Sequence, residues 1–391
     1  MMQSASPSPP APPRAAPFAR VNVVDGFDAV RPAWAALAAL ARVTPYQNLA
    51  FLEAWHGAAG GASPFFVRAD DAEGRAVALL PLGLWRHGPF RVAGFLGGKH
   101  VNLNLAPFAD PDAWRREDVL AMLRQAGAGR IDLFQFANMP AAWAGVGNPL
   151  ARLEVNAAPS SAFSTILTPD FATWFETQFS KDSRKKWRKK RAALERIGAL
   201  RLERATDTAG AQAILAAFQA HRAARALDGS PNAYGDPAAL AFLRKAAGVG
   251  TEPFAPSLAL WALRCGPAIV ATFGGLEDGG HISGVVTSFD RGEPFARHSP
   301  GELLIHDILA DAFKRGVSGF DLGAGDGRYK RETCEVELPL LEALVPVSAV
   351  GAALALAAKV ASQAKRRFKA STAAMQLLKR LRGMAARGQA G

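Results

Sequence analysis

The chain has 391 residues, 49% hydrophobic and 20% charged, a balance typical of folded proteins at a length that accommodates two cores. Its formal net charge is +12. Ten Lys/Arg against two acids crowd residues 181–201, and nine against none follow from 359, so the remainder is mildly acidic and a general nucleic-acid-binding face is disfavoured. Two cysteines, Cys265 and Cys334, are too few for a disulfide framework, and seven scattered histidines without an HExxH pair point away from a metal cofactor.

Residues 1–17 are rich in Pro, Ala and Ser and lack an apolar h-region, which reads as a disordered leader and not a signal peptide. Periodicity then predicts a strand at 21–24, helices at 28–40 and 48–56, and strands at 64–68, 76–85 and 90–97. A helix at 114–126 and a strand at 131–136 complete the first half. The basic run 181–201 reads as a helix whose Trp187, Leu194 and Ile197 share one face.

The second half repeats that order more clearly. A strand at 201–204 precedes a helix at 207–227, broken by Asp228-Gly229-Ser230-Pro231, and a second helix over 237–247. Strands at 258–263, 268–276 and 281–289 are joined by Cys265-Gly266-Pro267 and Asp278-Gly279-Gly280, both hairpin signals. A helix at 300–315, a strand at 320–322, a glycine-bearing loop, a short helix near Tyr329 and a strand at 337–344 follow. Past Ser348 the chain reads as basic helix. The longest apolar run, 345–358, falls short of the ~20 residues needed to span a bilayer. A cytoplasmic location is therefore expected, with reversible contact to the inner membrane face through the basic tail.

Two constellations carry chemistry. Ser299-Pro300-Gly301-Glu302 precedes the apolar pattern Leu304, Ile305, Ile308, Leu309. Ser at N-cap, Pro at N1 and Glu at N3 predict a capping box, which leaves Gly301 unexplained at a cost of about 1 kcal/mol relative to Ala. A glycine there lets an anion approach the opening amides, although Glu302 competes for the same positive end. The second is Gly325-Asp326-Gly327-Arg328-Tyr329-Lys330, a turn entering a helix. For a general base, His281, Glu277, Asp290 and His298 lie on or beside the central strands.

Three stretches resemble the CelD-like, GNAT-type acyltransferase family linked to polysaccharide or envelope synthesis: His298–Leu304, Phe320-Asp321-Leu322-Gly323, and Gly325 to Glu332. The basic run and Tyr234-Gly235-Asp236-Pro237 are also similar to the family pattern. The resemblance covers residues 165–345 and is echoed in the first half. It implies an α/β (α+β mixed-sheet) fold of tandem GNAT-like, FemABX-like units. The expected division is a leader at 1–19, a degenerate GNAT-like domain at 20–160, an acyltransferase domain at 161–346 and a basic tail at 347–391.

The same resemblance implies an acyl-CoA cosubstrate, acetyl-CoA included, with its pyrophosphate at Ser299, Pro300, Gly301, Glu302 and Leu303. Where other GNAT loops carry more glycines, this chain has Pro300-Gly301. Tyr329 would protonate the departing thiolate, Lys330 would neutralise an oxyanion or phosphate, and Asp326 would orient Lys330 or the acceptor. The acceptor would be a small or lipid-linked molecule, a sugar among them. The rivals are a FemABX-like transferase using aminoacyl-tRNA, and a non-catalytic envelope-assembly protein.

Overall fold

The computed structural model describes residues 14–226 and 234–370. The first part of the leader, the Asp228–Pro231 break and the chain beyond 370 lie outside the described residues.

The first half runs β1 (Arg20–Val24), α1 (Phe27–Ala38), α2 (Leu49–Ala59), β2 (Ser63–Asp70), β3 (Ala76–His87), β4 (Phe90–Phe95), α3 (Arg116–Gly127) and β5 (Leu133–Pro140). A connecting stretch holds β6 (Ala142–Trp143), β7 (Val146–Gly147), β8 (Val155–Ala157), β9 (Ala162–Ile166), α4 (Phe171–Gln178) and α5 (Lys181–Glu195). The second half runs β10 (Leu200–Arg204), α6 (Thr208–Ala226), α7 (Pro237–Ala246), β11 (Ala259–Cys265), β12 (Ala268–Glu277), β13 (His281–Phe289) and α8 (Pro300–Lys314). It ends with β14 (Gly319–Ala324), α9 (Arg328–Thr333), β15 (Val336–Leu338), β16 (Leu340–Pro346) and α10 (Ala349–Ala370).

Both predicted hairpins form. At the second, Asp278 Oδ1 accepts from the amides of Gly280 and His281 at 3.0 and 2.7 Å, the local bond that makes Asp a turn residue. Two seven-stranded sheets result, ordered β1-β2-β3-β4-β5-β16-β8 and β10-β11-β12-β13-β14-β9-β15. The order is the same in each: an antiparallel meander, one parallel pair (β4 with β5, β13 with β14), then two antiparallel strands.

The strand expected over 337–344 divides. Val336–Leu338 pairs with β9 in the second sheet, whereas Leu340–Pro346 crosses to the first and pairs with β5 and β8. Pro339 lies at the break, where its missing N–H cannot continue a ladder. One strand thus crosses between the sheets, β16, while β9 of the connecting stretch lies beside β14. One apolar core also joins the halves: Phe51 of α2 meets Phe242 of α7 edge to face at 5.1 Å, within a cluster running from Phe27 to Leu340.

Two further departures concern the connecting stretch. Helix α4, absent from the sequence reading, starts at Asp170, whose carboxylate caps the Thr173 amide at 3.0 Å. In α5, Leu194 is buried and Trp187 half-buried, but Ile197 lies past the helix end and is 42% exposed, so it does not share their face.

Candidate active site

Strands β13 and β14 pair only from His281–Gly319 to Ser283–Asp321. Beyond that they part, and two polar groups of the first half reach the carbonyl of Gly284: the Tyr46 hydroxyl at 2.5 Å and Asn102 Nδ2 at 3.3 Å. Behind them Asp321 is fully buried. It accepts from Ser283 Oγ, from the Gly323 amide at 2.8 Å and from Tyr46 at 3.3 Å, and its Oδ2 lies 3.0 Å from His281 Nε2. A buried carboxylate so surrounded is satisfied by hydrogen bonds and locks the halves together.

A cleft of ≈ 230 Å³ opens between α6, the end of β13 and the start of α8, with Tyr329 of α9 on its wall. Helix α6 buries Ala211, Ile214, Leu215, Phe218 and His221, positions that recur with helical period, so the apolar stripe ends in an imidazole. His221 Nδ1 lies 3.0 Å from Ser288 Oγ, which lies 2.7 Å from Thr272 Oγ1. Burial pushes the His221 pKa below its ordinary 6.5, against the pull of Asp290, so the ring is neutral near pH 7. Arg222 and Arg225 of α6, with Arg291, bring three guanidinium groups to the cleft.

At the start of α8 the expected capping box does not form. Ser299 is left-handed (φ 51°, ψ 56°) and its side chain makes no cap. Its hydroxyl accepts instead from Lys190 Nζ at 2.8 Å, and the same ammonium reaches Glu302 Oε2 at 2.8 Å. The amides of Glu302 and Leu303 donate to the Ser299 carbonyl at 3.0 and 3.3 Å, and Pro300 has no N–H. Among the described residues, Gly301 therefore supplies the amide left over in this turn. An anion here would rest on Gly301 and the arginines, with Lys190 neutralising the competing Glu302. Gly301 has a packing reason as well: a Cβ would stand 3.3 Å from Cδ1 of Phe289.

Of the five residues expected to hold a pyrophosphate, Ser299, Gly301 and Glu302 line the cleft, while Pro300 and Leu303 are buried and do not line it. Tyr329 lines it too. Gly327 permits that pose, since a Cβ there would stand 3.1 Å from Tyr329 Cε1. Burial pushes the phenol up to about 12 against the pull of Arg225 and Arg222, so it keeps its proton at neutral pH.

Lys330 and Asp326 do not join it. Lys330 is buried and donates to the carbonyls of Gly323 and Ala324 at 3.1 and 2.8 Å, so its role is to hold the loop; burial lowers its pKa to about 8. Asp326 is exposed and pairs with Arg331 instead of orienting Lys330.

The four strand-side bases lie elsewhere. His281 faces Asp321 and Trp143, Glu277 pairs with Arg204 and Arg315, Asp290 lines a neighbouring pocket, and His298 sits beside Arg297. Sequence reasoning missed His221, Arg222 and Arg225. The available signal was a titratable residue falling on the apolar stripe of a helix.

Residues 181–331 match the model of the Acetyltransferase (GNAT) domain. No curated protein matches in sequence. A conserved protein of unknown function from Bacteroides thetaiotaomicron VPI-5482 superposes with TM-score 0.54 at 11% identity, over 83% of this chain and 100% of that one. The C-terminal domain of a putative lysylphosphatidylglycerol synthetase from Agrobacterium fabrum gives 0.51 at 14%, over 85% and 95%. FemX gives 0.51 at 10%, over 78% and 95%. Since the second sheet carries the acetyltransferase-domain match and the first repeats its strand order, the chain has a tandem GNAT-type fold of the kind seen in FemX.

Proposed function

We propose that the chain moves an acyl group from an acyl-CoA to an amine or hydroxyl in the Tyr329 cleft. The observation that carries this reading is the convergence there of a protonated phenol, a neutral imidazole and three arginines beside the Gly301 amide. The arginines and that amide suit the donor's pyrophosphate, which fits the cleft's charge. The donor supplies the activated thioester, and the chain supplies position and protons.

In the transfer, the acceptor's nitrogen or oxygen bonds to the acyl carbon as the carbon–sulfur bond breaks. The acceptor's proton passes to Ser288 Oγ while the Ser288 proton moves to His221 Nδ1. Tyr329 gives its proton to the departing sulfur. No covalent enzyme intermediate is needed, and both cysteines are buried away from this role. The acceptor is read as a sugar, lipid-linked or other small molecule, in keeping with the CelD-like resemblance.

The aminoacyl-tRNA reading ranks lower. It calls for a long helical arm, whereas α5 has 15 residues and is tied along α8 by Arg191 to Asp307 at 2.7 Å. Thiol release from a panel of acyl-CoAs, with amine and hydroxyl acceptors, tests the proposal. Acceptor-dependent release that Tyr329→Phe abolishes supports it; a wild-type chain silent across the panel would sink it.

A further inference from the structure

A second groove, of ≈ 360 Å³, lies between α4, α5, α8 and α9 and shares only Glu302 with the Tyr329 cleft. Its volume falls in the ~300–1,000 Å³ range of small-molecule sites. Lys186, Lys190, Arg328 and Arg331 stand around it against two acids, Glu302 and Glu332. Those acids are already matched, Glu302 by Lys190 at 2.8 Å and Glu332 by Arg328 at 2.6 Å. Arg331 pairs with the exposed Asp326, and Lys186 makes no ion pair among the described residues. Lys185, Arg188 and Lys189 are exposed on the same helix and add to the field.

The floor also carries polar groups in need of partners. His306 is 5% exposed and sits among Phe175, Phe179 and Trp187, with ring centroids 5.3, 4.8 and 5.2 Å away. Neither His306 Nδ1 nor Trp187 Nε1 has a hydrogen-bond partner among the described residues, and an indole N–H can only donate. The Ser180 and Ser183 hydroxyls at the groove's edge open helix α5. Cations and hydroxyls in one groove are the complement of phosphate oxygens.

The repeated fold does not account for this groove. Helices α4 and α5 precede β10, and no helix precedes β1 among the described residues.

We propose that the groove between α4, α5 and α9 is a binding site for a phosphate-bearing ligand, with Lys186, Arg328 and Arg331 as its charged wall. With Arg331 held by Asp326 the excess is one positive charge, on Lys186, which matches a single phosphate group and not a polyanion. The donor's nucleotide and a nucleotide-carried acceptor both present that chemistry. The proposal extends the acyl-transfer reading to name a phosphate on one substrate. Its readout is binding, so either can fail alone.

Equilibrium binding to the full chain is measured with adenosine 3′,5′-bisphosphate, UDP and inorganic pyrophosphate, at low and moderate salt. At least one probe binds, more weakly at the higher salt, and the exposed-residue variants Lys186→Glu and Arg328→Glu each weaken it by about 10-fold or more. Arg201→Glu, exposed on β10 and outside both pockets, leaves the affinity unchanged. Preference for the adenosine bisphosphate assigns the groove to the donor, preference for UDP assigns it to the acceptor, and equal binding of pyrophosphate assigns it to the phosphates alone. Binding by none of the probes overturns the proposal, as does an affinity that survives both groove variants but is lost in Arg225→Glu.

Discussion

The two halves lay their strands in one order and both part a parallel pair, yet they finish that region differently. In the first half β4 and β5 meet at Val92–Leu133 and Ala93–Phe134, beside an ion pair of Arg91 and Asp132 at 3.0 Å. The helix that follows closes its own N-terminus: Asp118 Oδ2 accepts from the Arg115 amide at 2.8 Å and from Arg14 at 3.0 Å. In the second half Glu302 is drawn off by Lys190, Ser299 is turned out of its capping role, and the space beside the helix is lined by arginines, a histidine and Tyr329. A duplicated scaffold therefore does not duplicate a site. What distinguishes the halves is whether the helix opening is sealed by its own carboxylate, and the lysine that prevents this comes from α5, an element placed before the repeat.

If this contrast is right, changes in the second half's cleft remove activity and changes in the first half or at the junction remove stability. The largest effect is expected from Tyr329→Phe, which keeps the ring and deletes the proton: thiol release falls about 1,000-fold with an unaltered melting temperature. His221→Gln is expected to lower turnover about 100-fold. Because the His221 pKa is depressed, wild-type turnover declines only as pH falls through a value below 6.5, and a pH–rate profile of the variant lacks that acidic limb.

Acid stability probes the buried rings. Burial holds His306 near a pKa of about 3 and His100 near about 4, both below the unfolded value, so their contribution is present above pH 6.5 and is lost as pH falls. Denaturant titrations at pH 6.5 and 5 should differ by on the order of 2 kcal/mol per histidine. Tyr46→Phe strips a donor from the Gly284 carbonyl and Asp321 at the junction, and urea unfolding should register a loss of about 1–2 kcal/mol. Smallest of all, Asp118→Ala opens the α3 cap at a cost of about 1 kcal/mol and leaves thiol release unchanged. A large activity loss from Asp118→Ala with stability intact would break the contrast between the halves.

Local pattern was enough for most elements. Three meander strands with Gly-bearing turns, a Pro-led helix and the apolar stripe of α6 depend on neighbours in sequence, and the alternation or 3.6-residue period that produces them is written in the residues themselves. Gly301 was singled out by local pattern, as a glycine at a helix start, and Tyr329 by the family resemblance; both line the cleft. Ser299 shows the limit. Its residue type suits an N-cap, but a lysine 109 positions earlier in the chain takes its hydroxyl. Lys330 likewise is expected to neutralise an oxyanion or phosphate, and is buried because the loop carbonyls at 323 and 324 fold over it.

What the sequence alone determined was the order of strands and helices within each half, outside the connecting stretch, because hydrophobic period and turn chemistry act over a few residues. Only tertiary structure decided that β16 crosses to the first sheet, that His221 meets Ser288 and Thr272, and that Lys190 releases the helix opening. Each of these joins residues tens to hundreds of positions apart. Nothing local encodes such partners, since two sheets must pack before a side chain on one element has another to find.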